Sequence, residues 1–380
     1  MYKGGCFTPS IQASRYRRRL SVGLFIVAFL YSTAYLYASS GTEGAAFLDI
    51  LVGAGPAALG SAYTALAHDA YAPVYNPAGL GFLQGTQVAA QHLSYLESMS
   101  YEFMSFVHPV AEGKALGVSA QYLGTGDISA TGPNNGEPLG TYSSHYGAYS
   151  LVYGQKVTEK LSLGLTGKWI NAKLADVSAN AYAADLGSLY QATDHLKLAA
   201  TVTNIGSKLT FMNQGDSLPL AGHLAAAYEP EKHWNLAAEG IYSQTGLVSG
   251  RAGVEWSPLE MIGIRAGYKT DTTKDLSAIA GLTVGLGLKL WGQEFAYAWL
   301  PYGDLGDTQY FSLLIRFGQD QEAKKNLIQY QDIKRHRTAT GQGKSGTGVE
   351  DPEYRQLMQL LSDQNEHTAQ TPGAKNTTDK

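Results

Sequence analysis

The sequence predicts an all-β protein: a transmembrane antiparallel β-barrel of about fourteen strands with an N-terminal helical hatch inside its lumen. Three observations support this prediction. Between residues 86 and 317, apolar residues alternate with small polar ones at a period of two, as in strands with two unlike faces. Only 16% of the residues are charged, whereas soluble domains usually carry about 25%. The 44 glycines and 25 tyrosines suit a glycine-rich interior and aromatic girdles at two membrane interfaces.

Residues 1–40 are interpreted as a secretory signal peptide. Arg15–Arg19 is a positive n-region, Leu20–Leu36 is an apolar run, and Ala38–Ser40 offers small residues for cleavage. A retained transmembrane anchor is the alternative, because the run approaches the about 20 residues that span a bilayer. Cleavage would also remove Cys6, the only cysteine, and so exclude disulfides and thiolate metal sites from the mature chain.

Residues 41–85 are predicted to form the hatch. Gly53–Ala58 fits the G-x-G-x-x-A pattern of a dinucleotide-binding turn and follows an apolar run. Pro73 and Pro77 then occupy the place of the second buried strand, where proline is not tolerated. The nucleotide interpretation therefore fails. A helix is expected instead over Ala58–Ala67, whose small side chains would fit inside a barrel.

Residues 86–317 are predicted to form the barrel. A soluble sandwich would alternate too, but the polar faces here are mostly Gly, Ser and Thr rather than Lys and Glu. The even strand count and the long connections 124–141 and 206–217 predict external loops, short periplasmic turns and both chain ends in the periplasm. The predicted strands are 86–95, 100–110, 114–124, 142–156, 160–174, 180–191, 195–205, 218–229, 233–243, 248–257, 259–270, 278–290, 294–301 and 307–317.

Two motifs frame the barrel region. The first combines a small-residue segment with an N-P-A-G-L turn, and the second precedes the last strand. They comprise Ala58–Ala67, Asp69 and Asn76–Leu80, then Tyr297, Pro301 and Gly303–Thr308. Together they resemble the signature of PorV/PorQ-type outer-membrane proteins, relatives of the FadL-type long-chain fatty-acid transporters. The resemblance implies a bacterial outer-membrane barrel of fourteen strands that is plugged by its N-terminal segment.

The same resemblance implies a gating role for Asn76, Pro77, Ala78 and Gly79 in the hatch. Asn76 can make a side-chain-to-backbone turn, and Pro77 fixes φ and removes a donor. A purely structural plug that never moves is the alternative.

Four cations are predicted to face the lumen and to hold a substrate carboxylate: Lys168, Arg251, Arg265 and Lys269. The alternative is a packed interior in which these cations pair with Asp185, Glu239, Glu255 and Glu294 and stiffen the barrel.

The favoured function is passive uptake of hydrophobic or amphipathic, fatty-acid-like molecules, without a cofactor. The alternative is a PorV-like component of a type IX-like protein secretion system, which would bind carrier proteins through its external loops. No enzyme is expected, because the scattered histidines show neither catalytic nor metal-ligand spacing. The formal net charge of −4 makes nucleic acid an unsuitable partner.

Residues 318–380 change abruptly to a polar composition. They are predicted to be a periplasmic tail, partly helical and mostly disordered. The tail would be either a handle for a periplasmic or secretion-system protein or inert.

Overall fold

The computed structural model describes residues 43–95, 99–131, 138–259, 261–271, 278–302 and 306–317. The predicted signal peptide and the predicted tail lie outside the described residues. Within the described ranges, no helix has the length and apolar character needed to cross a membrane.

Fourteen strands close into one antiparallel barrel, in which the first strand pairs with the last, as predicted. The remaining four strands form two separate hairpins, β4–β5 and β10–β11. The strands are β1 (Thr86–Ser94), β2 (Ser100–Ala111), β3 (Lys114–Gly124), β4 (Ile128–Thr131), β5 (Pro138–Tyr142), β6 (Ser144–Lys156), β7 (Leu161–Leu174), β8 (Val177–Gln191), β9 (Leu196–Gly206), β10 (Leu209–Phe211), β11 (Gln214–Asp216), β12 (Ala221–Tyr228), β13 (Trp234–Ser243), β14 (Val248–Leu259), β15 (Ile262–Lys269), β16 (Leu282–Leu290), β17 (Gln293–Pro301) and β18 (Asp307–Phe317).

The two ends of the barrel differ. One end, which we call the turn end, carries short connections such as 112–113 and 291–292. The other, the loop end, carries the long connections 125–143 and 207–220, each of which contains one of the two hairpins. In outer-membrane barrels the long loops face outward and the short turns face the periplasm.

Several strand boundaries differ from the sequence prediction by up to four residues, and three of these differences have a clear cause. The strand predicted to begin at residue 142 begins at Ser144, because Tyr142 ends the β5 hairpin instead. The strand predicted from residue 278 begins at Leu282, because Ala278–Gly281 forms a 3₁₀ turn. β8 begins at Val177, because β7 and β8 form a hairpin longer than the alternation indicated.

The outer face of the barrel is apolar and carries two belts of aromatic side chains, one near each end. Exposed aromatic residues lie near the turn end at Tyr153, Tyr190, Tyr228, Trp234 and Trp256, and toward the loop end at Tyr122, Tyr149, Trp169, Tyr182, Tyr242 and Tyr268. This is the pattern of membrane-interface girdles. Tyr95, which follows β1, does not join these residues and packs against the buried core.

The hatch fills the lumen with short helical pieces joined by turns. Its two α-helices are α1 (Ala54–Ala58) and α2 (Ala72–Tyr75), and 3₁₀ turns cover Ala46–Asp49 and Pro77–Phe82. The predicted helix over Ala58–Ala67 is wrong. Gly60 and Ser61 adopt φ values of 64° and 62°, which no right-handed helix allows.

The hatch crosses the lumen from end to end. The backbone N–H of Gly44 donates to the carbonyl of Ser217, which follows the β10–β11 hairpin at the loop end. The hatch then descends and enters β1 at Thr86, at the turn end. The first described residue, Glu43, thus lies at the end opposite to the start of β1, whereas the chain ends that were expected in the periplasm lie outside the described residues. An even number of strands brings the start of β1 and the end of β18 to the same end of the barrel. The hatch, which precedes β1, crosses the lumen once more.

Candidate functional site

One row of inward-facing glycines receives the N-P-A-G turn of the hatch. Gly154, Gly164 and Gly187 lie directly opposite one another on β6, β7 and β8. A Cβ atom on Gly164 would overlap Pro77, and one on Gly187 would overlap the side-chain oxygen of Asn76. Only glycine lets the wall approach the turn this closely.

A second glycine row lies across the lumen. Gly253 and Gly267 are opposite each other on β14 and β15, and a Cβ on either would overlap the hatch backbone at Leu59 or Gly60. On β16, the Thr283 hydroxyl accepts from the Gly60 N–H at 2.9 Å and donates to the Ala58 carbonyl at 2.9 Å. The hatch is thus held between two glycine platforms on nearly opposite walls.

The four residues assigned to gating lie together on the first platform. Asn76 is fully buried and donates to the carbonyls of Thr64 at 3.0 Å and Ser188 at 3.2 Å. Its side-chain oxygen accepts from the Ala78 N–H at 3.0 Å, which starts the 3₁₀ turn. A Cβ on Gly79 would overlap the Ala67 carbonyl. The side-chain turn expected at Asn76 is present, and it ties hatch to wall.

Inward hydroxyl, amide and carboxylate groups of the wall bond the irregular backbone of the hatch. Ser312 accepts from the Ala54 N–H at 3.0 Å, and Ser162 donates to the Ala78 carbonyl at 2.6 Å. Further wall bonds of this kind come from Gln91, Ser105, Thr166, Glu239 and Thr283. Because buried backbone groups need partners, the small polar residues of the inner face are explained by the hatch they surround.

Three tyrosines cross the middle of the lumen. The ring of Tyr63 packs edge-on against Tyr71 and Tyr75, with centroid separations of 6.5 and 5.3 Å. The Tyr75 hydroxyl donates to the Val52 carbonyl at 2.8 Å, and the Tyr63 hydroxyl donates to Asp69 at 2.6 Å. Burial raises the pKa of Tyr71 well above its usual value and that of Tyr75 to about 12, so both hydroxyls stay neutral. We call these three residues the tyrosine partition.

The partition separates two cavities. The turn-end chamber has a volume of about 330 Å³ and is lined by Tyr63 and Tyr71 together with charged wall residues. The loop-end cavity measures about 70 Å³ and is lined by Tyr75, Asp49 and Arg251, among others. No continuous opening between them is expected while the tyrosine rings stay packed.

Asp49 gives the loop-end cavity a titratable group. Its side chain reaches solvent, yet protein surrounds the carboxyl on most sides because it lies within the barrel. The pKa of Asp49 is raised to about 6, mainly because burial removes solvation from the carboxylate and secondly because the charge of Glu43 lies nearby.

All four predicted lumen cations point inward, and each has a carboxylate near it. Lys168 contacts Asp185 at 2.7 Å, and Arg251 contacts Asp271 at 2.8 Å. Lys269 lies 3.8 Å from the same Asp271, with its ammonium 5.2 Å from the ring centre of Tyr302. Arg265 joins two carboxylates of the turn-end chamber. The structure therefore spreads the four cations over both ends of the lumen and does not gather them into one site.

Sequence reasoning missed the tyrosine partition and the turn-end chamber. The hatch tyrosines are spaced eight and four residues apart, which is no periodic signal in a segment without regular structure. Their meeting depends on the left-handed residues Gly60 and Ser61. Within the described ranges, no group of three or more His, Cys, Asp or Glu residues could hold a metal ion.

No protein-family model matches the chain, and no curated protein matches it. Solved structures do. The Ralstonia pickettii toluene transporter TbuX is 14% identical, with a TM-score of 0.50, and the match covers 70% of this chain and 98% of TbuX. The monoaromatic hydrocarbon channel CymD is 15% identical, with a TM-score of 0.51 and the same two coverages. At these identities the likeness concerns the fold. The chain has a FadL-like fold, a hatch-filled barrel of fourteen strands.

Proposed function

We propose that this protein lies in the bacterial outer membrane and lets hydrophobic small molecules cross it passively. The observation that carries the proposal is the shared fold, which spans nearly all of a toluene transporter and of a monoaromatic hydrocarbon channel. The apolar outer face with its two belts of aromatic side chains fits a lipid environment. Within the described residues, no feature favours the secretion alternative over uptake.

Passage requires a movement inside the barrel. A cavity of about 150 Å³ is known to hold benzene in a protein interior, and the loop-end cavity measures only about 70 Å³. A monoaromatic molecule therefore does not fit in this cavity as the described residues line it. We propose that the tyrosine partition yields to the molecule.

The residues predicted for gating then act as an anchor. Asn76, Pro77, Ala78 and Gly79 hold one side of the hatch on the glycine platform of β6, β7 and β8. A fixed anchor lets the partition move while the hatch stays in the lumen.

The test is the initial rate of radiolabelled toluene uptake by intact cells with and without the expressed protein, because the lipopolysaccharide of an outer membrane slows apolar molecules that cross phospholipid liposomes unaided. We expect expression to raise this rate. A variant that cross-links the partition segment to the wall, Ala70→Cys with Ser105→Cys, tests the movement, because the Ser105 hydroxyl donates to the Ala70 carbonyl; its disulfide should lower uptake and reduction should restore it. An uptake rate that expression leaves unchanged would contradict the proposed function.

A further inference from the structure

Two polar pairs lie on the outer face of β1 and β2, which we call the β1–β2 face. His92 and Glu102 are cross-strand neighbours, and Nδ1 of the imidazole lies 2.6 Å from Oε1 of the carboxylate. Near the turn end of the same two strands, the Thr86 hydroxyl lies 2.7 Å from Nδ1 of His108. The side chains of His92 and Glu102 are 56% and 47% exposed. The described residues thus leave about half of each side chain open to the surroundings of the barrel.

The two pairs bracket a short apolar band. Between them, every outward residue that the structure describes is apolar: Val88 and Ala90 on β1, and Met104 and Phe106 on β2. Other strands present longer apolar runs to the outside. On β16 the outward run comprises Leu282, Val284, Leu286, Leu288 and Leu290.

Strand geometry gives the height of the short band. His92 lies six residues beyond the start of β1 at Thr86, which is about 20 Å along a strand that rises about 3.3 Å per residue. At a tilt of about 40° this spans about 15 Å of height, against an apolar band of about 25 Å in outer-membrane barrels. On β7 the first outward polar residue, Asn171, lies ten residues beyond the start at Leu161, which by the same geometry is about 25 Å of height. Both strands start at the turn end, so β1 is short on the loop-end side.

The surface beside the polar pair remains apolar. His92 is the cross-strand neighbour of Phe311 on β18, and Phe311 packs against Tyr297 of β17 with a centroid separation of 5.2 Å. The pair and these two rings line one concave patch of the outer face together with Leu286 and Phe295. A bilayer of even thickness would therefore bring acyl chains to the polar pair as well as to these apolar side chains. Polar and ionisable groups in hydrocarbon are costly.

The arrangement favours a response of the bilayer over a protein partner. An interface with a protein needs one polar patch, whereas here polar pairs mark both edges of an apolar band on the same two strands. A bilayer adapts to a short apolar span by becoming thinner beside it. His92 has a second ring nitrogen and Glu102 a second carboxylate oxygen, which water and lipid headgroups can bond.

We propose that the bilayer is thinned beside the β1–β2 face, so that the phosphate-bearing headgroups of the loop-end leaflet reach down to His92 and Glu102. This face is then a lipid contact surface that differs from the rest of the wall. It depends on the proposed function only for the membrane location, because the pair lies outside the lumen.

The test measures the depth of nitroxide labels on the full chain in vesicles of dioleoylphosphatidylcholine. The labels are attached to Ala90→Cys or to Leu165→Cys in a Cys6→Ser background, because Cys6 is the only cysteine. Both positions face outward, four residues from the turn-end start of their strands, so a bilayer of even thickness would bury both labels to a similar depth. Paramagnetic resonance compares collisions with oxygen, which concentrates in hydrocarbon, and with a water-soluble nickel(II) chelate.

We expect the label at residue 90 to have a ratio of chelate to oxygen collisions at least about twofold higher than the label at residue 165, because a thinner bilayer brings water closer. This comparison needs no change to the polar pair. His92→Leu with Glu102→Leu lengthens the apolar band and should lower the ratio at residue 90 to that at residue 165.

A matched control removes a polar pair elsewhere on the outer face. Asn171 and Asn180 are cross-strand neighbours on β7 and β8 and are joined by a hydrogen bond of 3.0 Å. Asn171→Leu with Asn180→Leu should leave the collision ratio at residue 90 unchanged.

Three results would overturn the thinning. The first is an equal collision ratio at residues 90 and 165, and the second is a ratio at residue 90 that does not respond to the loss of His92 and Glu102. The third is dipolar coupling between residue-90 labels on two copies with both reagents excluded, which would mean that a second copy of the chain covers the pair. A label at residue 165 that meets the chelate as freely as a label in water would contradict the membrane location, and the thinning would fall with it. Toluene uptake enters none of these measurements, so its failure would leave the lipid surface standing.

Discussion

Single glycines decide how closely wall and hatch approach. Gly187 faces inward beneath Asn76, whereas Gly167, on the neighbouring strand, faces lipid with open space around it. Both are glycines within strands, but Gly187 faces the lumen and Gly167 faces the outside of the barrel. Glycine weakens a strand through its backbone entropy, so at an inward position the close approach must outweigh this cost.

This contrast yields a first prediction. Gly187→Ala should lower the free energy of unfolding by about 1–3 kcal/mol, because the added methyl forces Asn76 off the platform. Gly167→Ala should change it by less than about 0.5 kcal/mol. Urea unfolding in detergent, followed by the shift in electrophoretic mobility, measures both. Equal midpoints for the two variants would show that the platform does not support the hatch.

The amide of Asn76 is the next residue-scale determinant. Asn76→Asp removes the donor to the Thr64 and Ser188 carbonyls and places a carboxylate where no water reaches. We expect a loss of about 1–3 kcal/mol or more in unfolding free energy.

The matched variant is Asn180→Asp on the outer face. Asn180 only accepts, from Trp169 at 3.2 Å and Asn171 at 3.0 Å, and an aspartate can still accept both bonds. The same unfolding measurement should find Asn180→Asp much closer to wild type than Asn76→Asp. A reversed order would refute the anchoring role of the Asn76 amide.

At the scale of elements, the hatch behaves as three parts. Two of them, α1 with the turn at Gly60 and the 3₁₀ turn that follows Asn76, are held on glycine platforms. The segment between them carries the tyrosine partition and separates the two cavities. Its contacts are ring packing and single wall bonds to the backbone of Thr64, Ala70 and Pro73. Because neither glycine platform holds this segment, we expect it to be the part of the hatch that moves.

We predict that Tyr63→Ala opens a path through the partition. Removing this ring joins space on both sides, so toluene uptake by intact cells that express the variant should rise several-fold over wild type even if the variant loses about 3–5 kcal/mol of stability. Tyr63→Phe is the control, because it keeps the ring and loses only the bond to Asp69. Uptake that rises equally in both variants would argue that the hydroxyl, not the ring, closes the path.

For the whole molecule, the direction of the hatch has a topological consequence. Glu43 lies at the loop end, where the Ser243 hydroxyl donates to it at 3.4 Å. The first described residue of the hatch therefore lies at the loop end, opposite the start of β1 at the turn end.

A labelling experiment checks this orientation. A cleaved leader would remove Cys6, so Glu43→Cys would carry the only thiol of the mature chain. In intact cells it should react with a membrane-impermeant maleimide. Glu159→Cys, in the short turn between β6 and β7, should react only after the outer membrane is made permeable. The opposite pattern would mean that the barrel sits the other way round.

The sequence by itself determined the barrel. The alternation of apolar and small polar residues predicts which face of each strand points outward. The turn residues between these segments predict fourteen strands with bounds correct to within a few residues. Both signals are local in the sequence, so they can be read without the tertiary structure. It also identified the hatch segment, the Asn76 turn and the inward direction of Lys168, Arg251, Arg265 and Lys269.

Only the tertiary structure decided how the hatch folds and what the lumen holds. Wall hydroxyls replace helical bonds along the hatch, so the local preference for a helix over Ala58–Ala67 is overruled. The tyrosine partition forms only because the hatch turns at Gly60 and Ser61, and Arg265 meets Glu294, 29 residues away, only in the closed lumen. No local pattern encodes such meetings, because they exist only once the cylinder closes around its own N-terminal segment.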